Sequence, residues 1–242
     1  MKQIRIAVAA LFVIPIFILS LFYAFLPAAL MRGERRKRHL RRCGHFIGSA
    51  VCFFLGVRVH VDGLEHVPEG GNVCYMSNHQ SMLDIASFVG PAGLWASVVV
   101  KAEIKKVPIL NMWCNALDCV YIERKSPRDS MKAIFRGVEK LKAGGTMLIY
   151  PEGTRSKTDK IGEMKAGSLK LATRAKATIV PITVKGMRPG LEAIRNFKIV
   201  DAYLSIGAPI STADLDDEAL KGLDQVVYGA IAKRYEELPG QH

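Results

Sequence analysis

A histidine and an aspartate five residues apart are the first pair in this sequence that could carry out chemistry. They belong to the segment 78–84, which reads NHQSMLD. On one ideal helix five residues correspond to about 500°, so the side chains of His79 and Asp84 would not face each other. They can meet if His79 lies in a loop and Ser81 caps the following helix, with Asp84 at its third position. The carboxylate would then hold one ring nitrogen and leave the other free as a general base, although an exposed helix cap beside an unrelated histidine explains the same spacing.

A second polar segment, Glu152-Gly153-Thr154-Arg155, could bind a phosphate. Arg155 offers a forked donor that fits a phosphate, Thr154 adds a hydroxyl, and Gly153 would let the backbone approach a ligand closely. Glu152 cannot attract a phosphate, so we expect it to orient an arginine or a substrate hydroxyl. Taken by itself, this segment is better explained by a tight turn with surface ion pairs. Phosphate binding gains support only if other polar groups converge on the same place.

Short β-branched runs that alternate with helical stretches supply the elements that would bring these groups together. Strands are predicted at residues 57–61, 72–76, 96–100, 119–122, 146–150, 179–184 and 202–206. This rhythm predicts an α/β fold, with a mostly parallel central sheet flanked by helices. Helices are expected from Asp129 or Ser130 to the Gly144-Gly145 pair, and around residues 214–237.

The positions of the polar groups relative to the predicted strands indicate a single site. Both segments follow strands directly, and so do Lys101 and Arg124, which would bring further positive charge. Because the carboxyl ends of parallel strands meet at one edge of a sheet, these groups are expected to share one rim.

Four short blocks of this sequence resemble, in order and spacing, the motif blocks of the lysophosphatidate/glycerophosphate acyltransferase family. The blocks are Asn78-His79-x4-Asp84, Val120-Tyr121-Ile122-Glu123-Arg124, Tyr150-Pro151-Glu152-Gly153-Thr154-Arg155-Ser156 and Val180-Pro181-Ile182. The match covers roughly residues 55–210, and the first and third blocks are highly specific when found together. The fourth block alone would indicate no more than core packing. The chain departs from the family pattern at Glu123, where Asp is usual, and at Tyr121 and Tyr150, where Phe is common.

The resemblance implies an enzyme similar to the bacterial 1-acyl-sn-glycerol-3-phosphate acyltransferases. His79 would take the proton of the sn-2 hydroxyl of a lysophosphatidate, and Asp84 would stabilise the imidazolium. The acyl donor would be acyl-CoA or acyl carrier protein, acting as a substrate, so no cofactor is expected. The implied binding residues for the acceptor are Lys101, Arg124, Glu152, Gly153, Thr154 and Arg155.

Two other functions stay open at this point. The enzyme could acylate a different lysolipid, because the acceptor depends on the shape of a cavity that the sequence does not reveal. The chain could also be a membrane-bound lipid-binding protein without turnover, although a binder would not need a base with an orienting carboxylate. A covalent acyl-serine route has no support, because no Gly-x-Ser-x-Gly segment is present.

The first 57 residues predict a membrane attachment that precedes an α/β acyltransferase domain at residues 58–242. Residues 6–31 form a segment without a charged side chain, and this segment is long enough for a helix to cross a bilayer. The basic flank at residues 32–42 would stay at the cytoplasmic face by the positive-inside bias. The apolar stretch at residues 43–57 is too short for a full span. It is expected either to complete a helical hairpin or re-entrant helix in the bilayer, or to be a core helix of the following domain.

Charge and composition narrow the partners and the compartment. The net charge is +12, but residues 1–60 hold ten Lys and Arg against one acid, so the basic excess lies beside the apolar segment. This favours anionic membrane phospholipids as partners rather than nucleic acid. The five cysteines include no C-x-x-C pair, which favours reduced packing thiols and no metal site. The expected location is the bacterial inner (plasma) membrane, with the catalytic domain on its cytoplasmic side.

Overall fold

A seven-stranded sheet is the centre of the molecule in a computed structural model, which describes residues 2–123, 127–156, 158, 160–165, 167–193 and 198–240. The strands run in the order β1-β7-β6-β2-β5-β3-β4, and every neighbouring pair is parallel except β6 with β7. Their bounds are β1 Val57–Asp62, β2 Val73–Ser77, β3 Ser97–Lys101, β4 Val120–Ile122, β5 Thr146–Ile149, β6 Thr178–Lys185 and β7 Val200–Ile206. All seven predicted strands are present within one or two residues of the expected bounds, and the mostly parallel α/β fold is confirmed.

Helices cover both faces of this sheet. Their bounds are α1 Lys2–Ser20, α2 Leu26–Ala29, α3 Gly33–Phe54, α4 Leu83–Val89, α5 Pro108–Ala116, α6 Pro127–Lys142, α7 Leu169–Arg174, α8 Arg188–Leu191 and α9 Asp217–Glu237. Side chains of β2 alternate between the faces: Val73 and Tyr75 join the core that contains α4, whereas Cys74 and Met76 join the core under α6, α7 and α9. Burial on both faces explains why β2 reads as a continuous apolar run.

The two helices predicted most clearly from the sequence are also present. α6 begins two to three residues before the expected start and ends just before the Gly144-Gly145 pair. α9 begins after Asp216, whose carboxylate accepts a hydrogen bond from the backbone N–H of Ala219 at 2.8 Å and so caps the helix. All five cysteines are buried and free, which agrees with the expected packing role.

The apolar segment at the amino terminus forms a helical run that packs beside Gly33–Phe54, the helix that follows it. A π-helical turn, Leu21–Phe25, joins α1 to α2. By length and composition, the run Ile6–Ala29 could cross a membrane. Only 11% of its most apolar stretch of 18 residues is buried inside the molecule. These properties are consistent with membrane association.

The basic flank and the second apolar stretch form one continuous helix, α3. The apolar half packs closely on α4, because a Cβ atom added to Gly48 would lie 2.6 Å from the backbone oxygen of Ala86. Cys52 is buried in the same core as the sheet, whereas Phe46 and Phe53 are exposed. This half of α3 therefore packs on the core of the domain.

The same half of α3 also pairs with the amino-terminal helical run, as in the expected helical hairpin. Phe12 stacks on Phe54 with ring centroids 4.8 Å apart. Tyr23 meets Phe46 with ring centroids 6.1 Å apart. Insertion of this hairpin into a bilayer stays a prediction. The division of the chain at residue 57 stays a prediction.

Candidate active site

The segments that carry the predicted site residues follow two neighbouring parallel strands, β2 and β5. Asn78, the first residue after β2, extends the sheet with its side chain. Its amide nitrogen donates to the carbonyl of Val184 and its amide oxygen accepts from the N–H of the same residue, both at 2.8 Å. This pairing fixes the point at which the chain leaves β2, and therefore the position of His79.

The structure brings His79 and Asp84 together as the sequence predicts. The Nδ1 atom of His79 lies 2.7 Å from Oδ2 of Asp84. The carboxyl group is almost fully buried, with 1% of its side chain exposed, whereas 17% of the imidazole is exposed. Among the contacts of the described residues, none engages Nε2 of His79. A carboxylate on Nδ1 and an available Nε2 are the arrangement that a general base requires.

The start of α4 holds the carboxylate in this position. Oδ2 of Asp84 also accepts hydrogen bonds from the backbone N–H groups of Gln80 and Ser81, at 2.8 and 3.0 Å. The hydroxyl of Ser81 in turn accepts from the N–H of Leu83 at 3.1 Å. Half of the expected capping box is therefore present, because Asp84 reaches back to the N–H of Ser81, whereas the hydroxyl of Ser81 meets the N–H of Leu83 and the helix itself begins at Leu83. The half that is present turns Asp84 back toward the histidine, which five residues on an ideal helix would not do.

Burial raises the pKa of the Asp84 carboxyl, while the hydrogen bond from His79 and the two backbone N–H groups oppose that shift. The other carboxylate oxygen, Oδ1, is buried, and within the part of the chain that the structure describes no donor reaches it. The negative charge of Asp84 therefore depends on contacts to a single oxygen. A proton taken up by His79 would supply the compensating positive charge.

The ring of Tyr150 fixes the plane of the imidazole. The two rings are stacked with centroids 3.9 Å apart and an angle of 17° between their planes. Burial and the nearby charge of Asp84 raise the pKa of the Tyr150 hydroxyl well above its usual value, so this group stays neutral. In the sequence, Tyr150 stands out only as a departure from the family pattern. Its position directly before Pro151-Glu152-Gly153 was the signal that could have suggested the stacking.

Glu152 orients the backbone of the histidine loop rather than Arg155. One of its oxygens accepts the N–H of His79 at 2.7 Å and the other accepts the N–H of Gly162 at 3.0 Å. The carbonyl of His79 meanwhile accepts the N–H of Ser156 at 2.7 Å. Burial raises the pKa of the Glu152 carboxyl, opposed by the two backbone N–H groups. Of the tasks expected of Glu152, orienting Arg155 was wrong, because the two carboxylate oxygens meet backbone donors and Arg155 pairs with Glu192. A role toward Arg124 or a substrate hydroxyl stays a prediction.

The segment after β5 contains the tight turn that the simpler interpretation expected. The N–H of Gly153 donates to the carbonyl of Tyr150 at 2.9 Å, and Gly153 has a φ of +68°, which favours glycine. A Cβ atom at Gly153 would lie 3.0 Å from Nζ of Lys165, so that side chain rests against the turn. Arg155 forms an ion pair with Glu192 at 3.0 Å and keeps 45% of its side chain exposed. The turn and ion pair are thus real, and the same segment also holds His79.

The other predicted binding residues are less closely associated with the histidine. Lys101 is the last residue of β3, which flanks β5 on the side away from β2, so it lies two strand spacings, about 10 Å, from the histidine loop. Thr154 is exposed beside Arg155. Arg124 lies outside the described residues. Within the described ranges no three His, Cys, Asp or Glu side chains are grouped to hold a metal ion.

Comparison with known proteins shows the family of this chain. The family model described as Acyltransferase matches residues 58–185, just over half of the chain. The chain belongs to this acyltransferase family. The matched range contains His79, Asp84 and the turn at Gly153, and it stops at the last residue of β6.

Relatives of this acyltransferase carry one recurring name. The chloroplastic 1-acyl-sn-glycerol-3-phosphate acyltransferase BAT2 of Brassica napus is 32% identical over 74% of this chain and 54% of its own length. The 1-acyl-sn-glycerol-3-phosphate acyltransferase of Borreliella burgdorferi is 23% identical over 76% of this chain and 74% of its own. The chain therefore spans about half the length of the plant relative. The crystal structure of the 1-acyl-sn-glycerophosphate (LPA) acyltransferase PlsC from Thermotoga maritima matches with a TM-score of 0.82 and 26% identity, over 98% of this chain and 97% of that one.

Proposed function

We propose that this acyltransferase moves an acyl group from acyl-CoA or acyl carrier protein to the sn-2 hydroxyl of 1-acyl-sn-glycerol 3-phosphate, which gives phosphatidate. The observation that carries the proposal is the buried Asp84 carboxylate on Nδ1 of a partly exposed His79. The recurring name of the relatives supports the choice of acceptor.

The proposed reaction is a direct transfer. Nε2 of His79 takes the proton of the hydroxyl as its oxygen attacks the carbonyl carbon of the thioester. The tetrahedral intermediate then expels the thiolate, which recovers the proton from the imidazolium and leaves as a free thiol. Asp84 stabilises the imidazolium between the two steps. Ser81 is a poor alternative nucleophile, because its buried hydroxyl already donates to Glu192 and accepts from the N–H of Leu83.

The rim around the histidine offers positive charge for the acceptor's phosphate. Arg155 uses one Nη1 contact for Glu192 and is otherwise half exposed, so its remaining donors can take up a phosphate. Lys101 and Thr154 are exposed at the same edge of the sheet. Arg124 is proposed as a further cation on the strength of its sequence position.

Membrane contact is part of the proposal, because both substrates carry long acyl chains. Removing such chains from lipid costs roughly 0.8 kcal/mol per CH2 group, so a rim that opens at the bilayer avoids a large penalty. We place the chain at the bacterial inner membrane, with its acyltransferase domain on the cytoplasmic side. The basic half of α3 next to the apolar helix supports this orientation.

Protease treatment of right-side-out vesicles should spare the domain, and cleavage there would contradict the orientation.

An acceptor panel tests the proposed function. Membranes containing the protein would receive one labelled acyl donor, either acyl-CoA or the matching acyl carrier protein thioester. Each assay would contain one acceptor: lysophosphatidate, glycerol 3-phosphate, lysophosphatidylcholine or lysophosphatidylglycerol. Membranes containing the His79→Ala variant measure the background. Labelled phosphatidate above that background supports the proposal. Turnover of another lysolipid alone would indicate a different acceptor, and binding of lysophosphatidate without turnover would indicate a lipid-binding protein.

Arg155→Ala should weaken the binding of an acceptor that carries a phosphate. A charge-assisted hydrogen bond contributes about 1.5–3 kcal/mol, so the KM for lysophosphatidate should rise about 10- to 100-fold while the KM for the acyl donor changes little. Steady-state kinetics with each substrate varied in turn measures both values. Arg58→Ala is the matched control, because Arg58 is an exposed arginine paired with Asp201. An unchanged acceptor KM together with a lower melting temperature would leave Arg155 only its role in the turn.

A further inference from the structure

Glu192 connects the two segments that form the candidate active site, although it lies outside the range that the family model matches. It follows the short helix α8, which ends at Leu191. One carboxylate oxygen, Oε1, lies 3.0 Å from Nη1 of Arg155 and accepts the N–H of Met82 at 3.0 Å. The other, Oε2, accepts the hydroxyl of Ser81 at 2.6 Å. No motif in the sequence marks this residue.

These contacts bind Arg155 to the same short stretch of backbone that positions the base pair. Ser81 donates its N–H to Asp84, and Asp84 holds His79. The carboxylate of Glu192 therefore fixes the distance between the arginine on one loop and the histidine on the other. Without Glu192, a long and half-exposed arginine side chain would sample many rotamers, and holding one of them for a ligand costs conformational entropy.

Glu192 orients Arg155 without engaging all the guanidinium N–H groups of the arginine. The described ion pair involves Nη1, whereas a guanidinium has five N–H groups in a fixed fork. The side chain of Glu192 is 25% exposed and that of Arg155 is 45% exposed, so the arginine is the more accessible of the two from solvent. An anion that approaches from solvent would meet the outer donors of Arg155 in an orientation that Glu192 has already set.

We propose that Glu192 is a positioning residue for the acceptor's phosphate, acting through Arg155. The proposal rests on the proposed function, because it takes lysophosphatidate as the acceptor. It predicts that Glu192 determines affinity for the phosphate-bearing substrate and has little influence on the acyl donor.

The test is a double-mutant cycle on the full-length protein, with Arg155→Ala and Glu192→Ala alone and combined. Lysophosphatidate is titrated by calorimetry in detergent micelles, and the KM values for acceptor and donor are measured separately. We expect Glu192→Ala to weaken lysophosphatidate binding about tenfold and to leave the donor KM within about twofold. In the Arg155→Ala background the same change should have almost no further effect.

Glu192→Gln provides a conservative rescue. Its amide oxygen can accept from Arg155 and Met82, and its amide nitrogen can donate to Ser81, so the contacts survive without the charge. Its affinity should lie within about threefold of the parent. Glu69→Ala, which removes an exposed glutamate from the loop before β2 at the opposite edge of the sheet, should match the parent.

The proposal would be overturned if the losses of lysophosphatidate affinity in Arg155→Ala and Glu192→Ala added up in the double variant. It would also be overturned if Glu192→Ala raised the KM values for acceptor and donor equally and lowered the melting temperature. Calorimetry measures binding and does not require turnover. A parent protein that binds lysophosphatidate without acylating it would therefore contradict the proposed function, while the effect of Glu192 on binding could still be measured. A parent that does not bind lysophosphatidate would overturn both.

Discussion

Replacing His79 with alanine should reduce kcat by about 1,000-fold or more, while the protein stays folded and membrane-bound. The imidazole is the group in the candidate site that can accept the hydroxyl proton, and positioned general bases contribute roughly 100- to 10,000-fold. The loss of the stacked contact with Tyr150 should lower the melting temperature only modestly. Acyl transfer to lysophosphatidate, measured beside membrane fractionation and thermal unfolding, checks each part of this expectation.

The chain contains its own control for this variant. His60 and Asp201 form a second histidine–aspartate pair, also 2.7 Å apart, on the neighbouring strands β1 and β7. Each of these side chains is 46% exposed, so this pair is a surface contact. His60→Ala should keep full activity. If His79→Ala stayed within threefold of the parent, the general base would have to be another group.

Asp84→Asn should reduce kcat by roughly 100- to 10,000-fold with only a modest loss of stability. All the hydrogen bonds of the carboxylate go to Oδ2, and Oδ1 has no partner among the described residues. The asparagine oxygen can therefore take the place of Oδ2 and keep its contacts, whereas the amide nitrogen in the place of Oδ1 meets no acceptor among the described residues, which costs about 1–3 kcal/mol of stability. The charge that stabilises the imidazolium is lost, and a comparable substitution in a serine protease triad costs about 10,000-fold.

Stability and activity together decide the role of Asp84. Burial raises the pKa of this carboxyl, which means that its charged form is less favourable in the folded protein than in the unfolded chain, so the neutral asparagine should not lower the melting temperature by much. Asp201→Asn, in the exposed pair, is the matched control and should change neither quantity. Retained kcat in Asp84→Asn would show that the charge is dispensable. A large loss of melting temperature would show that the carboxylate is chiefly structural.

The candidate site depends on contacts between loops more than on any single element. The N–H of His79 is held by Glu152, its carbonyl by the N–H of Ser156, and its ring by Asp84 and Tyr150. A histidine held at its backbone and at both sides of its ring loses little further freedom when a substrate binds. This rigidity is what a base needs to meet a hydroxyl at hydrogen-bond distance.

Much of the fold could be predicted from the sequence because its signals are local. Strands buried on both faces must be apolar throughout, and helices buried on one face repeat their apolar residues at helical spacing, as in α6. The His79–Asp84 pair was also predictable, because Ser81 and Asp84 belong to one capping pattern at the start of one helix.

The amino-terminal half of the chain shows where local signals stop being sufficient. A basic run followed by a short apolar run allowed either a membrane-dipping helix or a core helix at residues 43–57. The packing of this stretch depends on a partner surface: Gly48 of α3 meets the backbone of α4 with no room for a side chain. That close approach joins residues about 40 positions apart, which no periodicity within α3 reveals.

The sequence by itself therefore determined the strands, the helices α6 and α9, the pairing of His79 with Asp84, and the arginine segment expected at the same rim. Tertiary structure alone decided what holds them: Glu152 on backbone N–H groups, Tyr150 under the imidazole, and Glu192 beside Arg155. The reason is physical. Periodicity and capping act over a few residues and leave a trace in composition, whereas these contacts form between distant segments only after the sheet and its helices have packed.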